Sequence, residues 1–144
     1  MLSYEDGDFS FETSIYPVHT PNGTDDFEII IGCHNAGIGT ITMGAYFIVN
    51  NTLGSWRMYT NVSGVIDTTG TGQTFSQSWT KLAIVRTGTT IDFWFNGTIV
   101  ATKTATLTGA ASMGLRIGRL SAGSSYRAFR TDYLRIQQTI PGNR

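Results

Sequence analysis

The chain has 144 residues, of which 40% are hydrophobic and 14% charged, and its formal net charge is zero. This length supports one domain with a proper core, predicted to span residues 1–144. A neutral chain without a basic cluster is a poor candidate for nucleic-acid binding, and no apolar run approaches the roughly 18 residues that insertion into a membrane requires.

Alternation of apolar and polar residues recurs along the chain and predicts strands rather than helices. Nine strands are predicted, over residues 8–17, 27–34, 41–50, 55–62, 78–88, 90–97, 98–104, 114–120 and 128–139. Residues 63–78 and 107–113 are predicted to be loops, the first anchored by Phe75. This number and spacing of strands is typical of an all-β sandwich.

Charge is distributed unevenly along the chain. Seven of the ten acidic residues lie within the first 28 positions, and seven of the ten basic residues lie from Lys103 onward. One interpretation is that the first and last strands are neighbours, so that opposite charges meet across them. The other is head-to-tail assembly, in which the acidic edge of one copy meets the basic edge of the next.

The segment IDFWFNGTIV, residues 91–100, predicts a hairpin, because Asn-Gly accepts the positive φ angles of a tight turn. Neighbouring residues of a strand point to opposite faces, so Phe93 and Phe95 are assigned to the core and Trp94 to the other face, beside Asp92 and Asn96. Three interpretations of Trp94 remain open: a platform for a sugar, packing under a loop or subunit, or a core position.

The region from Trp79 to Gln138 resembles the concanavalin A-like lectin/glucanase superfamily, especially its laminin-G-like branch. The motifs that carry the resemblance are Trp79 opening a strand, Arg86 and Gly88 at a turn, the Asn96–Gly97 turn, Ile117–Gly118, and Asp132 with Leu134 and Ile136. The resemblance implies an all-β, two-sheet antiparallel jelly-roll sandwich. Relatives usually carry a further strand ahead of DFSFETSIYP, so the domain is predicted to have a short version of that strand, to lack it or to share it.

The acidic residues give little support for catalysis. The glucanase branch carries a Glu-x-Asp-x-x-Glu cluster, which this sequence lacks, and Asp67 and Asp92 are the only acidic residues between Glu28 and Asp132. Glycoside hydrolysis needs two carboxyl groups roughly 5–10 Å apart, so we expect no enzymatic activity. His19 and His34 lack metal-ligand spacing, and Cys33 is expected to be a buried thiol.

No cofactor is expected, although related sandwiches sometimes carry a structural Ca²⁺ bound by acidic residues in loops. The residues of this sequence that could bind such an ion are Asp6, Asp8, Asp25, Asp26 and Asp132. The alternative is that these acidic residues cap turns or are solvated.

Binding is the remaining function, because sugar rings stack on flat aromatic side chains while polar groups bind their hydroxyls. The candidate ligand-binding residues are Trp94, Asp92 and Asn96 on one strand and Arg57 and Tyr59 on another. We therefore predict a non-catalytic recognition or attachment module, with a glycan or host-surface receptor as its partner. The alternative is a structural or assembly protein that contacts other subunits and has no glycan ligand.

The start MLSYEDGDF has neither the basic nor the apolar region of a signal peptide. Together with low charge, richness in Thr, Gly and Asn, and a single Cys, this favours a phage virion component or a part of another extracellular assembly. We expect such a protein to fold in the host cytosol and to be exposed later, at the virion surface.

Overall fold

The computed structural model describes residues 2–4, 7–18, 27–35, 40–50, 54–119 and 128–139. Eleven strands lie in these ranges: β1 (Leu2–Ser3), β2 (Phe9–Pro17), β3 (Phe27–His34), β4 (Met43–Asn50), β5 (Ser55–Val62), β6 (Val65–Thr74), β7 (Thr80–Thr87), β8 (Thr90–Phe95), β9 (Thr98–Thr104), β10 (Ala110–Arg119) and β11 (Phe129–Gln138). The described part of the chain holds no helix long and apolar enough to cross a membrane.

The strands form two antiparallel sheets that pack face to face, which confirms the predicted jelly-roll sandwich. One sheet has the order β1-β10-β3-β4-β5-β6, and the other has the order β11-β2-β7-β8-β9. Phe47 on β4 meets Phe93 on β8 edge to face, with ring centroids 5.3 Å apart. Lys103 on β9 pairs with Asp67 on β6 at 2.8 Å. These contacts place β8 opposite β4 and β9 opposite β6, so β11 lies opposite β1.

The core between the sheets follows the predicted alternation. Phe9, Phe11 and Ile15 of β2 are buried on one face, as are Phe93 and Phe95 of β8. Cys33 is also buried in this core, and burial raises the pKa of its thiol, which disfavours the reactive thiolate form. Trp94 points away from the core, which excludes a core position for this residue.

Glycine is needed at one point in the middle of the sheet. Gly32 has a φ of 148°, and a Cβ atom added there would meet the Ala45 carbonyl oxygen at 2.6 Å and the Ile84 Cδ1 at 2.8 Å. Since Ile84 belongs to β7, this close approach also places β3 opposite β7.

Two predicted loops were wrong in part. Residues 65–74 form β6, which pairs with β5 along the edge of its sheet, and β10 begins at Ala110 rather than at Gly114. The side chains of β6 are almost all exposed, so the strand shows no apolar alternation even though Val, Ile and Thr favour strands. Phe75 does act as an anchor, because its ring packs against Phe27 and Trp56.

The uneven charge distribution is explained in part by strand neighbours. β2 pairs with β11, and Glu12 lies directly opposite Arg135 in that register. Glu12 also forms an ion pair with Lys81 of β7 at 3.0 Å. Opposite charges therefore meet across the first and last long strands, as the first interpretation predicted.

One predicted face was wrong at Ile41. Alternation along ITMGAYFIVN predicts one shared face for Ile41, Met43, Ala45, Phe47 and Val49. Ala45, Phe47 and Val49 do face the core, but Ile41 precedes β4 and packs on the outer side of the sheet. It joins a second buried cluster there with Ile30, Tyr46 and Ile48.

Candidate functional site

Trp94 lies on the outer face of the five-stranded sheet, in a row of side chains that crosses three strands. In this row Glu12 of β2 is the register partner of Ala83 of β7, and Ala83 is the partner of Trp94 of β8. Two strand spacings place the backbones of Glu12 and Trp94 about 10 Å apart. Because Ala83 is small, a gap opens between the two larger side chains.

The gap is a pocket of about 230 Å³ lined by Glu12, Lys81, Ala83, Trp94 and Gly97. Trp94 is half-buried and forms one wall, while the charged side chains of Glu12 and Lys81 lie on the other side. The Trp94 pocket therefore combines an aromatic wall with groups that accept and donate hydrogen bonds.

Glu12 is held in its charged form. The Tyr133 hydroxyl donates a hydrogen bond to Glu12 Oε1 at 2.5 Å, and the Lys81 ammonium lies 3.0 Å from the same oxygen. The hydrogen bond from Tyr133, and after it the one from Lys81, lowers the pKa of the Glu12 carboxyl below its usual value. A carboxylate that keeps its charge is a strong acceptor for hydroxyl groups.

The two polar neighbours predicted for Trp94 are engaged in the fold. The Asp92 carboxylate accepts a 2.6 Å hydrogen bond from the Thr102 hydroxyl on β9. The Asn96 side-chain oxygen accepts a 2.8 Å bond from the backbone N–H of Lys81. Asp92 lies on the same face of β8 as Trp94, and Asn96 lies in the turn that follows. Neither residue lines the Trp94 pocket.

Sequence reasoning missed Glu12, Lys81 and Ala83 as pocket residues. They belong to other strands than Trp94, and only the register of β2, β7 and β8 brings them beside it. Alternation along a strand separates its two faces, but it carries no information on which residues of other strands are neighbours.

Arg57 and Tyr59 lie on the other side of the molecule. They occupy the outer face of β5, in the six-stranded sheet, so they do not form one site with Trp94. Tyr59 stacks on Tyr46 with ring centroids 5.5 Å apart and an interplanar angle of 17°. Arg57 Nε is buried and has no acceptor among the described residues.

A second depression, of about 250 Å³, adjoins this tyrosine pair. Most of its lining is aliphatic and aromatic, and Glu28 and Arg116, whose charged atoms are 4.0 Å apart, also line it. Burial raises the pKa of the Glu28 carboxyl, against the smaller opposing effect of Arg116. One face of the Tyr59 ring is stacked on Tyr46, so only its other face is left for a ligand.

The acidic residues considered for catalysis or metal binding are dispersed. Asp92 lies on the outer face of the five-stranded sheet, while Asp67 pairs with Lys103 at the sheet edge. The Asp8 carboxylate accepts a 2.7 Å bond from Gly88 N–H, and Asp132 is exposed at a bulge in β11. The remaining Ca²⁺ candidates, Asp6, Asp25 and Asp26, lie outside the described residues, as does His19.

Within the described ranges, no group of three or more His, Cys, Asp or Glu residues could hold a metal ion. His34 is buried on the outer face of β3 and meets the ring of Tyr46 edge to face. Its neighbour Cys33 faces the core, so the two side chains lie on opposite sides of the sheet.

Two antiparallel sheets packed face to face in these strand orders define a jelly-roll domain. A family model for the concanavalin A-like lectin/glucanases superfamily, of the laminin G kind, matches residues 2–140. The chain therefore belongs to this superfamily, which confirms the resemblance read from its motifs.

Several solved structures share the fold at low sequence identity. The carbohydrate-binding module CBM66 from Bacillus subtilis is 10% identical with a TM-score of 0.61, and the match covers 92% of this chain and 76% of that one. An alginate lyase from Pseudomonas aeruginosa is 15% identical with a TM-score of 0.63, over 94% and 67% of the two chains. The binding domain of botulinum neurotoxin serotype D is 11% identical with a TM-score of 0.61, over 95% and 34%. No curated protein sequence matches the chain significantly.

Proposed function

We propose that this domain is a non-catalytic glycan-binding module and that the Trp94 pocket receives a sugar ring. The observation that carries the proposal is the row Glu12–Ala83–Trp94, which places an indole wall and a carboxylate on opposite sides of a small side chain. A sugar stacked on the indole would bury its apolar C–H face there. Its hydroxyl groups would then donate to Glu12 and accept from Lys81.

The proposal draws further support from the composition of the pocket. Most ligand sites combine apolar and aromatic walls with a small number of convergent polar groups, which is the composition found here. The fold is also shared with a carbohydrate-binding module, and that likeness makes glycans the first ligands to test.

A non-catalytic role is supported by the single carboxyl group at the site. Among the residues that line the Trp94 pocket, Glu12 is the only acid, whereas glycoside hydrolysis uses two. The structural likeness to alginate lyases makes uronate polymers the substrates on which this part of the proposal is tested. Release of unsaturated products from alginate would contradict it.

We further propose that the domain is displayed on a phage virion or another extracellular assembly, where it contacts a host-surface glycan. Low charge and a chain rich in Thr and Gly support this setting. A second candidate is a structural protein that contacts other subunits, and it is favoured by the inward-facing but exposed Leu134 and Ile136. Purification of virions or particles from the source, followed by immunodetection of the chain, tests the setting.

The binding proposal is tested by retention on a glycan array that includes uronate polymers. Trp94→Ala removes the stacking wall and Ala83→Leu fills the gap, so each is expected to reduce retention at least tenfold. Trp79→Ala is the matched control, because Trp79 is 51% exposed beside Tyr16 and does not line the Trp94 pocket. Melting curves of all variants check that they fold.

Retention that survives both Trp94→Ala and Ala83→Leu would place the ligand elsewhere. Failure of the wild-type protein to bind any glycan on the array would contradict the proposed function itself.

A further inference from the structure

One edge of the six-stranded sheet is only partly paired. β1 consists of two residues, Leu2 and Ser3, which pair with Ala111 and Ala110 at the start of β10. Within the described chain, no strand pairs with this edge of β10 from position 112 to 119. An open strand edge presents backbone N–H and C=O groups in the geometry that a further strand would use.

Apolar side chains of the opposite sheet are uncovered at the same place. Leu134 and Ile136 of β11 are 46% and 38% exposed, although their register partners Thr13 and Phe11 are fully buried. Paired residues point to the same face, so Leu134 and Ile136 face the interior of the sandwich. They are exposed because none of the described residues lies over them in the position that a longer β1 would fill.

The sandwich is closed where β1 is present. Gln138 Nε2 donates a 2.8 Å hydrogen bond to the Ser3 carbonyl oxygen, and this bond links β11 to β1 across the gap. Further along β11, toward Ile136 and Leu134, the facing position on the other sheet is empty within the described residues. On the β10 side, Met113, Leu115 and Ile117 point inward and are only partly buried.

We propose that the groove between β10 and β11 accepts one added β-strand, supplied by an extended polypeptide segment with apolar residues at alternate positions. The open backbone of β10 would bind the segment by main-chain hydrogen bonds, and the apolar side chains would cover Leu134 and Ile136. This is recognition by strand addition, in which backbone pairing gives affinity and alternate side chains give specificity.

A separate segment fits this groove better than a second copy of the chain does. The inward side chains of β10 in a second copy, Met113, Leu115 and Ile117, already pack against their own core. A second copy would therefore bring a β10 whose inward side chains are already engaged, whereas a separate segment can lay its own apolar side chains over Leu134 and Ile136.

The pairing of β1 with β10 sets the register of an added strand that continues β1 along the same edge. Leu2 pairs with Ala111, so the residues one, three and five places ahead of Met1 would pair with Met113, Leu115 and Ile117. These are the inward-facing positions. A shift of one residue would turn every side chain of the added strand to the opposite face.

Two amino-terminal extensions of the full chain test the proposal. The in-phase extension TVTVTV places valine one, three and five residues ahead of Met1, and the out-of-phase extension VTVTVT has the same composition with valine shifted by one. We expect the in-phase chain to melt on the order of 4 °C or more above the out-of-phase chain, which should melt close to the unextended protein. Ile136→Lys is expected to remove the gain of the in-phase chain.

Equal melting temperatures for the two extended chains would overturn the proposal. So would a concentration-dependent dimer of the unextended chain that the in-phase extension dissociates, because the occupant would then be a second copy. Glycan retention is measured on the same proteins and is expected to be unchanged, since the groove and the Trp94 pocket do not share residues. Loss of this groove proposal would therefore leave the binding proposal intact.

Discussion

The Trp94 pocket depends on the size of one side chain. Ala83 separates Glu12 from Trp94, and a larger residue at this position would bring the three side chains into contact and close the gap. Trp94 Nε1 is buried without an acceptor among the described residues, so packing rather than a hydrogen bond holds the indole. The pocket is therefore shaped by steric fit, and its polar chemistry is supplied by Glu12 and Lys81.

Glu12 gives a prediction on pH. The folded state lowers the pKa of its carboxyl, so the stabilisation is fully present above the ordinary glutamate value of about 4.3 and is lost as pH falls through the lowered folded value. We expect wild type to melt above Glu12→Gln at pH 7, with a difference that shrinks as pH falls below the ordinary glutamate value. Calorimetry of both proteins across this range measures it.

The matched variant for this prediction is Tyr133→Phe, which removes the hydroxyl that donates to Glu12 while the carboxylate remains. It should weaken the pH dependence without abolishing it, because Lys81 still pairs with Glu12. A melting difference between wild type and Glu12→Gln that does not change with pH would contradict a contribution from the carboxylate charge.

At the scale of elements, the β8–β9 hairpin was predictable because its determinants are local. Asn96 and Gly97 have φ angles of 49° and 83°, as the predicted tight turn requires. The Asn96 side chain adds a bond to the backbone of Lys81, which ties the hairpin to β7. The turn thereby fixes the position of Trp94 relative to the strand that supplies Ala83 and Lys81.

Two substitutions of Asn96 separate these contributions. Asn96→Ala places an ordinary side chain at positive φ and removes the hydrogen bond to Lys81, so we expect a loss of about 2 kcal/mol in the free energy of unfolding. Asn96→Gly keeps the backbone conformation and loses only the hydrogen bond, so we expect about 1 kcal/mol. Urea unfolding of the two variants measures both, and equal losses would show that the positive φ costs nothing here.

The less predictable parts of the structure depend on pairing between distant segments. β6 carries few buried residues, and it becomes a strand because β5 offers an edge to residues of suitable propensity. The outer cluster of Ile30, Ile41, Tyr46 and Ile48 arises in the same way from three neighbouring segments. Alternation predicted the face of Trp94, but the neighbours that make its pocket required the register of three strands.

At the scale of the whole molecule, the two open sides of the sandwich differ in how well they are protected against pairing with another strand. On one side, Lys103 points inward from the edge strand β9. Its side chain is only 4% exposed, and its ammonium reaches Asp67 of the other sheet. An inward-pointing charge is a known protection against pairing with other edges. On the other side, the groove between β10 and β11 exposes apolar side chains beside an edge of β10 that, among the described strands, pairs only with the two residues of β1.

The Lys103–Asp67 pair predicts different results for its two partners. Asp67→Asn leaves a buried ammonium without its counter-ion, so we expect a loss of about 1–2 kcal/mol in the free energy of unfolding, moderated because Asp67 is 69% exposed. Lys103→Met is expected to be near neutral in stability but to promote self-association through β9. Urea unfolding and sedimentation velocity test the pair, and a strictly monomeric Lys103→Met protein at high concentration would contradict the protective role.

The central claim is that a glycan binds at Trp94, and nuclear magnetic resonance of the three indole N–H groups tests it directly. The chain has three tryptophans: Trp56 is buried in the core, Trp79 is exposed beside Tyr16, and Trp94 lines the pocket. During titration with the glycan that the array retains most strongly, we predict that the Trp94 indole signal shifts in proportion to occupancy while those of Trp56 and Trp79 stay in place. A saturating glycan that leaves the Trp94 signal unmoved would contradict the account.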